Sequence, residues 1–562
     1  MRLVLLTLLA SVPHVLSGAI SLDEATQKTF DYVVIGGGLG GLVVAGRLSE
    51  DPGVSVLRDD PAVSDPNQYG AVWDDSKDLA WKWDTTEGKT IYGGRVLGGS
   101  TSINGMAYTR PSSSEFSPLL DDSVASELHG SRWTWPRMFE AMKKAESFRW
   151  PSEEQQAAGA GANADYHGYT GPVSVGYTSL GGNAGGAFLS AASHWVEKVF
   201  DADGGEADTA AFHPLTVDGE GRRSASTAYY ADRENLSLLA STRATRIRTE
   251  CQGSSLKATG VEIGDKFVSA GREVILAAGA IASPALLQRS GIGPASVLTG
   301  AGVEVNLELP GVGAGLQEQT MNFMTWGQKG STGPTGFAIA YPNATALFGD
   351  DGAFRAKLSD AISGAADVGA QHGGFISAEA GREILQHQAE IMYQAGLAEL
   401  SLTLNDGDGT VGANVWALRP LSRGSVRITS NDPSSNPRVT AGCFDAEVQV
   451  AALKLTRSIF SADPLLGLVD AERSPGAQLS SDPDLERWVR DNYVAVAHPV
   501  GTCAMLPKHL GGVVDASLTV YGTSNLRVVD ASVLSFQVSA HLMGVLYGVA
   551  ETAADIIKSG QR

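Results

Sequence analysis

The chain has 562 residues, of which 43% are hydrophobic and 19% are charged, so it is long enough for more than one hydrophobic core and too apolar to be disordered. Its formal net charge of −20 argues against binding to nucleic acid or to an anionic membrane surface, because either polyanion would repel it. Three cysteines allow one internal disulfide at most, which excludes a disulfide-stapled scaffold, and their spacing indicates no metal site.

The first 19 residues have the pattern of a secretory signal peptide. Arg2 gives a short basic start, residues 3–16 are mostly apolar, and residues 17–19 are small, as at a cleavage site. The apolar run is too short for a comfortable membrane span. We therefore expect a protein of the secretory pathway without a membrane anchor, either secreted or held in a cell wall, vesicle or vacuole. Asn235 and Asn343 lie in N-glycosylation triplets that fit this route.

The next segment predicts a nucleotide-binding unit. Residues 31–38 (DYVVIGGG) form a β-branched run that ends in glycines, and residues 39–50 have apolar positions at helical spacing. Gly36, Gly38 and Gly41 form a Gly-x-Gly-x-x-Gly motif between this strand and this helix. Glycines let the backbone turn closely around a pyrophosphate, and the helix N-terminus offers it unpaired N–H groups. The order of strand, turn and helix predicts a Rossmann-like dinucleotide site.

The second strand of this unit has an unusual end, in the segment VSVLRDDPAV (residues 54–63). Such a strand normally closes on an acidic residue that binds the ribose. In an ungapped alignment Asp60 takes that place, and Arg58 and Asp59 replace apolar strand residues. In a gapped alignment, which we favour, the ribose-binding residue is deleted. The loss would weaken dinucleotide binding by about 1.5–3 kcal/mol and leave the pyrophosphate turn intact, so the altered residues 58–61 put binding of the cofactor in doubt.

Further elements follow in chain order. Residues 93–111 (GGRVLGGSTSINGMAYTRP) form a second glycine-rich loop, whose glycines allow a close approach to a ligand and whose Ser100 and Asn104 offer polar groups. Residues 234–250 and 272–277 indicate strands, and Ser283 is the expected N-cap of the helix that follows. Residues 424–433 alternate like a strand, and a final helix is expected from about Ser539 to Lys558.

Taken together, these motifs resemble those of the glucose–methanol–choline (GMC) oxidoreductases. The resemblance rests on residues 93–111, on GAIASPALLQRSGIG (279–293), and on two C-terminal blocks at 498–505 (HPVGTCAM) and 526–557. Within the family the chain is most similar to the secreted fungal branch that includes patulin synthase and versicolorin B synthase. The family resemblance implies an α/β protein, with a Rossmann-like FAD-binding domain and an interleaved α+β substrate domain built on an antiparallel sheet.

The implied domain layout is discontinuous. After a signal peptide at 1–19, the FAD-binding domain is expected at 28–150, 226–310 and 491–562. Residues 151–225 form an excursion on the substrate side, and residues 311–490 form the substrate domain.

The resemblance also implies a site. His498 is expected to take the proton of an alcohol while hydride passes to flavin N5, and His541 is expected to hold the oxygen, although the reverse division of labour stays open. An imidazole suits this task because its ordinary pKa is about 6.5. No histidine lies in the loop 93–111, so the FAD is expected to be non-covalent. The residues expected to bind it are Gly36, Gly38, Gly41, Asp60, Gly98, Gly99, Ser100, Asn104, Asp530 and Ala531.

Two enzymatic hypotheses remain at this stage. The first is oxidation of an alcohol group in a small molecule, such as a fungal secondary-metabolite intermediate, to a carbonyl. The second is a non-redox cyclisation or dehydration on the same fold, with the two histidines serving as acid and base. A non-catalytic binding protein is a third possibility, which the presence of both histidines disfavours.

Overall fold

The computed structural model describes most of the chain, namely residues 3–6, 20–50, 79–116, 132–180, 182–206, 208–221, 223–230, 235–330, 336–405, 409–442 and 446–560. The predicted second strand at 54–63, with Asp60, lies outside these residues. Among the described helices, none is long and apolar enough to cross a membrane.

A seven-stranded mixed sheet, which we call the cofactor sheet, forms the first layer. Its order begins with an antiparallel meander, whose last strand, Lys266–Leu276, continues as a parallel partner of Thr29–Ile35 and Leu526–Val528. The β-branched residues 33–35 make Thr29–Ile35 an almost fully buried strand, as expected for a strand covered on both faces. The remaining strands are Leu3–Leu6, Leu236–Leu239, Arg246–Gln252 and Ser255–Ile263.

Leu3–Leu6 occupies an unexpected place in the cofactor sheet. It pairs in parallel with Thr29–Ile35 on one side and with Leu236–Leu239 on the other. These four residues belong to the predicted signal peptide, so a chain cut after residue 19 would lack this strand. Processing at that position stays a prediction.

An eight-stranded, mostly antiparallel sheet, the substrate sheet, forms the second layer. Thr320–Gln328 lies beside Thr410–Ala417, which lies beside Ala398–Asn405. The register places Met321 and Glu399 opposite Trp416, and Phe323 opposite Asn414. The other strands of this sheet are Glu197–Lys198, Thr209–Phe212, Ala338–Ala340, Val469–Ser474 and Val494–Ala495.

Small sheets and helices complete the fold. Two-stranded sheets pair Ala80–Asp84 with Thr90–Gly94, Glu146–Phe148 with Val173–Val175, and Ile292–Gly293 with Leu307–Glu308, and a three-stranded sheet joins Ala314–Leu316, Gly424–Arg427 and Arg438–Thr440. The described α-helices are Leu22–Thr26, Leu39–Leu48, Trp135–Ala145, Glu153–Ala157, Ala184–Ala192, Ala282–Arg289, Ala295–Gly300, Ala344–Phe348, Asp351–Gln371, Ala378–Met392, Ala446–Phe460, Asp482–Asn492 and Leu542–Ser559.

The final helix, Leu542–Ser559, is bonded to residues near the start of the described fold. Glu551, whose side chain is fully buried, accepts hydrogen bonds from Arg47 at 2.7 Å and 2.9 Å and from the Tyr229 hydroxyl at 2.6 Å. Near its end, Lys558 forms an ion pair with Glu50 at 2.6 Å. These contacts fix the C-terminal helix against Leu39–Leu48, the helix that follows the glycine turn.

Two local predictions were wrong. The helix Ala282–Arg289 begins after Ile281, and Ser283 does not cap it, because its hydroxyl donates to Asp530 instead. The alternating strand predicted at 424–433 covers only Gly424–Arg427, since the chain leaves the sheet before the turn at residues 431–436.

Candidate active site

One large cleft lies between the two sheets. It has a volume of about 630 Å³ and opens to solvent. The glycine turn after Thr29–Ile35 lines one part of it, and the strands Thr320–Gln328 and Thr410–Ala417 line another. Four parallel strands of the cofactor sheet have their carboxyl ends at the same edge, and the segments that follow them begin there. Ligands of α/β sheets bind at this edge.

The first glycine turn borders the cleft with its backbone. Gly36 has a φ of +113°, and a side chain there would meet the Ala277 carbonyl oxygen at 2.2 Å. Gly38 is the N-cap of the following helix and provides no side chain of its own, so the first N–H groups of that helix are available to a ligand. Gly41 lies behind the turn, where a Cβ would meet the Gly36 carbonyl oxygen at 1.9 Å.

The second glycine loop packs directly on the first. Gly98 and Gly99 have φ values of +93° and +55°, and a Cβ on Gly99 would lie 2.8 Å from the Gly38 Cα. Ser100 lines the cleft and accepts a hydrogen bond from the Gly94 N–H at 3.1 Å. The loop therefore positions its residues through close contact between two stretches of backbone.

Asn104 lies further along this loop and also lines the cleft. Its Oδ1 accepts hydrogen bonds from the Met106 N–H at 3.0 Å and from Arg223 at 2.8 Å, so the side chain is fixed before any ligand binds.

Asp530 and Ala531 line the cleft where the strand Leu526–Val528 ends. The Asp530 carboxylate accepts from the Gly279 N–H at 2.9 Å, from the Ser283 hydroxyl at 2.5 Å, and from the N–H and hydroxyl of Ser532 at 2.8 Å and 2.5 Å. Asp530 thus fastens two loops of the cofactor edge, and any contact with a cofactor is an additional role that stays a prediction.

His498 and His541 face each other across the cleft. Their ring centroids are 5.4 Å apart and the ring planes meet at 84°. The Trp416 ring lies beside both, at 4.8 Å from the His541 centroid and 5.6 Å from the His498 centroid. Two imidazoles from distant parts of the sequence therefore share one pocket, next to the glycine loops.

The tautomer of His498 is fixed by Gln319. The Gln319 Nε2 donates to two main-chain carbonyls, those of Leu418 at 3.2 Å and Val538 at 3.0 Å, which determines the orientation of the amide. Its Oε1 lies 2.7 Å from His498 Nδ1. An oxygen can only accept, so Nδ1 carries the proton and Nε2 keeps the lone pair. A histidine held in this way is ready to accept a proton at Nε2.

The backbone around His498 is also held firmly. Ala497 has a φ of +64°, which is a strained value for a residue with a side chain. The His498 N–H donates to Glu318 at 2.8 Å, and its carbonyl accepts from Gln537 at 2.6 Å. Burial raises the pKa of Glu318 to about 8, although hydrogen bonds from the backbone N–H groups of His498, Gln319 and Val496 oppose that rise.

His541 has a different partner. Its Nε2 lies 3.2 Å from the fully buried Glu399 carboxylate, and its backbone N–H donates to the Thr109 hydroxyl at 2.9 Å. The residue is also the N-cap of Leu542–Ser559, so the start of the final helix determines where the ring sits.

The two histidines differ in their electrostatics. Burial lowers the pKa of His498 well below its ordinary value, and the nearby His541 lowers it further. Neutral His498 can therefore serve as a proton acceptor, while the Nε2 of His541 is held by the Glu399 carboxylate.

The wall around the histidines is mainly apolar. Two residues of this wall carry a buried polar atom without a hydrogen-bond partner in the described part of the chain, namely Trp416 Nε1 and Asn414 Oδ1. The other wall residues near the histidines are Met321, Phe323, Phe337, Thr403, Val496 and Ala497.

The residues of the cleft fit FAD. The glycine loops bring backbone at a helix N-terminus to the cleft, where a pyrophosphate can bind. Side chains at Gly36 or Gly99 would clash with the Ala277 carbonyl and the Gly38 Cα and push this backbone apart. The glycine turn and the two histidines line the same cleft, so a dinucleotide bound there would lie beside a substrate. Gly36, Gly38, Gly99 and Asn104 would lie along the group, and FAD would supply the acceptor for the electrons of an oxidation.

We expect Gly99→Ala to release flavin from the protein. The new methyl group would meet the Gly38 Cα at 2.8 Å, and the positive φ adds strain, so the two loops must separate. The ratio of flavin to protein absorbance after purification measures the loss. Gly88→Ala is the matched control, because Gly88 also has a positive φ, +73°, a Cβ there meets nothing within 4 Å, and the residue does not line the cleft. Equal flavin content in both variants would contradict this account of the loops.

Family models match both ends of the described fold. A GMC oxidoreductase N-terminal model matches residues 30–321, and a GMC oxidoreductase C-terminal model matches residues 420–550. The chain belongs to the GMC oxidoreductase family. It is accordingly an FAD-dependent oxidase or dehydrogenase.

Known proteins similar to this family member agree with that assignment. The GMC oxidoreductase family protein Mala s 12 of Malassezia sympodialis is 33% identical, with 94% of this chain and 92% of the relative covered. The glucose oxidase-like protein fsoC of Humicola fuscoatra is 34% identical, over 99% and 98% of the two chains, and a glucose oxidase of Penicillium chrysogenum is 34% identical, over 97% and 94%.

Two solved structures are also similar to this GMC protein. An FAD-dependent oxidoreductase from Chaetomium thermophilum matches 95% of this chain and 100% of its own, with a TM-score of 0.82 and 25% identity. A fungal aryl-alcohol oxidase matches 95% of this chain and 99% of its own, with a TM-score of 0.81 and 26% identity. The predicted fold class, FAD-binding layer and antiparallel substrate layer are therefore confirmed.

The structure brings most of the predicted site residues to the cleft. Gly36, Gly38, Gly99, Ser100, Asn104, Asp530, Ala531, His498 and His541 line it, whereas Gly41 and Gly98 lie just behind it. Sequence reasoning missed Gln319, Glu399 and Trp416. Their positions opposite the histidines depend on the strand register of the substrate sheet, and no spacing in the sequence signals it.

Proposed function

We propose that this GMC oxidoreductase oxidises an apolar alcohol, aromatic or otherwise unsaturated, to a carbonyl compound. The observation that carries the proposal is the fixed lone pair of His498 Nε2 beside His541, in a pocket walled by Trp416, Phe337 and Met321. A fungal secondary-metabolite intermediate is one class of molecule that fits this description. The cofactor is proposed to be bound non-covalently.

The residues divide the work as follows. His498 Nε2 accepts the hydroxyl proton of the substrate, and bound FAD supplies the acceptor for the hydride that leaves the adjacent carbon. His541, held at Nε2 by Glu399, lies beside the substrate oxygen and orients it. The apolar wall gives both polar contacts a surrounding of low polarity on one side, which strengthens them.

A free sugar fits this pocket poorly. A hexose needs hydrogen-bond partners for several hydroxyl groups, and an unpaired polar group that is buried costs about 1–3 kcal/mol. Beside the two histidines, the described wall offers only Asn414, Thr403 and the Trp416 N–H as polar partners. The proposed substrate class of this chain therefore differs from the substrate that the names of its glucose oxidase relatives give for those proteins.

The test compares benzyl-type alcohols with glucose in anaerobic half-reactions. We expect an aromatic alcohol to bleach the flavin absorbance and yield the aldehyde, with kcat/KM at least about 100-fold above that for glucose, the equivalent of roughly 3 kcal/mol in transition-state binding. Rapid bleaching by glucose would overturn the proposed substrate class. A flavin that stays oxidised while a substrate is cyclised or dehydrated would support the non-redox alternative.

A further inference from the structure

A cationic wall lies at the other side of the cleft from the histidines. Arg243 follows the edge strand Leu236–Leu239, and Arg289 ends the helix Ala282–Arg289. In the order of the cofactor sheet, Leu236–Leu239 and Leu526–Val528 lie on opposite sides of Thr29–Ile35. The glycine turn therefore separates Arg243 from the segment that leads to His541. Both arginines line the cleft.

Neither arginine has a carboxylate partner among the described residues. The Arg243 guanidinium carbon lies 5.4 Å from the centroid of the Trp81 ring and makes no described ion pair. Arg289 donates to the Ser435 carbonyl at 2.7 Å, and its buried Nε has no partner in the described chain. The one acidic residue that lines the described cleft is Asp530, whose oxygens are already used by Gly279, Ser283 and Ser532.

Each of the two guanidinium groups has a second arginine nearby: Arg289 is near Arg243, and Arg243 is near Arg95. Burial lowers the pKa of Arg289, and the proximity of Arg243 lowers it further; the exposed Asp432 opposes this effect. The pKa of Arg243 is lowered by burial and then by Arg95. Nearby like charges that are partly buried cost free energy unless an anion pairs with them. The net charge of the chain is −20, so a general excess of basic residues does not explain this cluster.

A purely structural role explains these residues incompletely. The bond to Ser435 can hold the loop near residue 435, which accounts for one nitrogen of Arg289. It does not account for Arg243, whose only described contact is the face of Trp81. Guanidinium groups match phosphate oxygens in geometry and charge, and arginine is the residue that accommodates extra phosphate in Rossmann sites.

We propose that Arg243 and Arg289 bind the phosphate-bearing adenosine half of the cofactor. Cation–phosphate contacts would then anchor this end electrostatically, where related units rely on an acidic residue that binds ribose hydroxyls. The inference rests on the FAD of the family and not on the proposed substrate.

Flavin release from the purified holoprotein tests this anchor. We expect the dissociation constant of FAD to rise several-fold between about 0.05 M and 0.5 M NaCl, because salt screens a cation–phosphate contact. Arg243→Met and Arg289→Met should each raise the dissociation constant of FAD by about 10-fold and make it less dependent on salt. Arg248→Met is the matched control, since Arg248 pairs with Glu262 at 2.9 Å and does not line the cleft.

Arg243→Lys separates charge from shape. Lysine keeps the positive charge, so it should retain most of the salt dependence, whereas a role in packing against Trp81 would not be rescued. The proposal is overturned if the wild-type protein releases flavin equally at both salt concentrations, or if Arg243→Met behaves as Arg248→Met does. Flavin release needs no substrate, so a failure of the proposed alcohol oxidation leaves this result interpretable.

Discussion

Replacing His498 with alanine should lower kcat/KM for an accepted alcohol by about 10²–10⁴-fold while the flavin stays bound. The imidazole Nε2 is the one unpaired proton acceptor that the described geometry fixes beside His541. Alanine removes it, and the Gln319 amide then faces a space that water can enter. The loss should therefore fall on proton removal, not on cofactor retention.

Stopped-flow flavin reduction and the flavin absorbance of the purified variant measure these two effects separately. His509→Ala is the matched control, because that side chain is 66% exposed and far from the cleft lining. A His498→Ala protein that reduces flavin at more than a tenth of the wild-type rate would remove the assignment of His498 as base. If His541→Ala is much the more damaging variant, the two histidines exchange roles.

The pH dependence of the wild-type protein carries the same information. Because burial and His541 lower the pKa of His498, its neutral form persists to acidic pH. We expect kcat/KM to hold as pH falls through 6.5 and to decline only at the lower pKa of the folded protein.

Gln319→Leu should be the next most damaging change, with a loss of about 10-fold to 100-fold in kcat/KM. The variant removes the acceptor for His498 Nδ1–H and leaves that buried donor unpaired, which costs about 1–3 kcal/mol and frees the ring to adopt the other tautomer. In the other tautomer Nε2 already carries a proton, so it cannot accept the proton of the substrate hydroxyl.

Gln319→Glu tests whether the effect acts through His498. A carboxylate still accepts from Nδ1–H, and its negative charge favours the imidazolium, so the acid limb of the kcat/KM profile should move to higher pH. Gln319→Leu should not show that movement. Identical pH profiles in both variants would show that Gln319 matters for packing alone.

Much of the cofactor layer could be predicted from the sequence because its determinants are local. Gly36 and Gly38 sit between a β-branched strand and an amphipathic helix, and each of these features is visible within a few residues. The strand Thr29–Ile35 and the helix Leu39–Leu48 accordingly lie where the pattern placed them. The family's C-terminal blocks also identified two histidines, and both line the cleft.

The surroundings of the histidines could not be predicted in the same way. Glu399 reaches His541 only because Ala398–Asn405 pairs with Thr410–Ala417 in one particular register, which places it opposite Trp416. Gln319 reaches His498 across 179 residues of sequence. Arg243 gave no signal in the sequence, since an arginine after a short strand usually points to bulk solvent, and only the structure shows that Arg243 lines the cleft.

The C-terminal helix has a practical consequence for anyone who attaches this enzyme to an electrode or a resin. Its first turn carries the His541 ring, and Lys558 near its last turn pairs with Glu50. Amine-directed crosslinking at Lys558 would apply force to the helix Leu542–Ser559, whose N-cap residue is His541 in the candidate active site. Coupling through Lys357, which is exposed on the separate helix Asp351–Gln371, would load a part of the molecule that makes no contact with either imidazole.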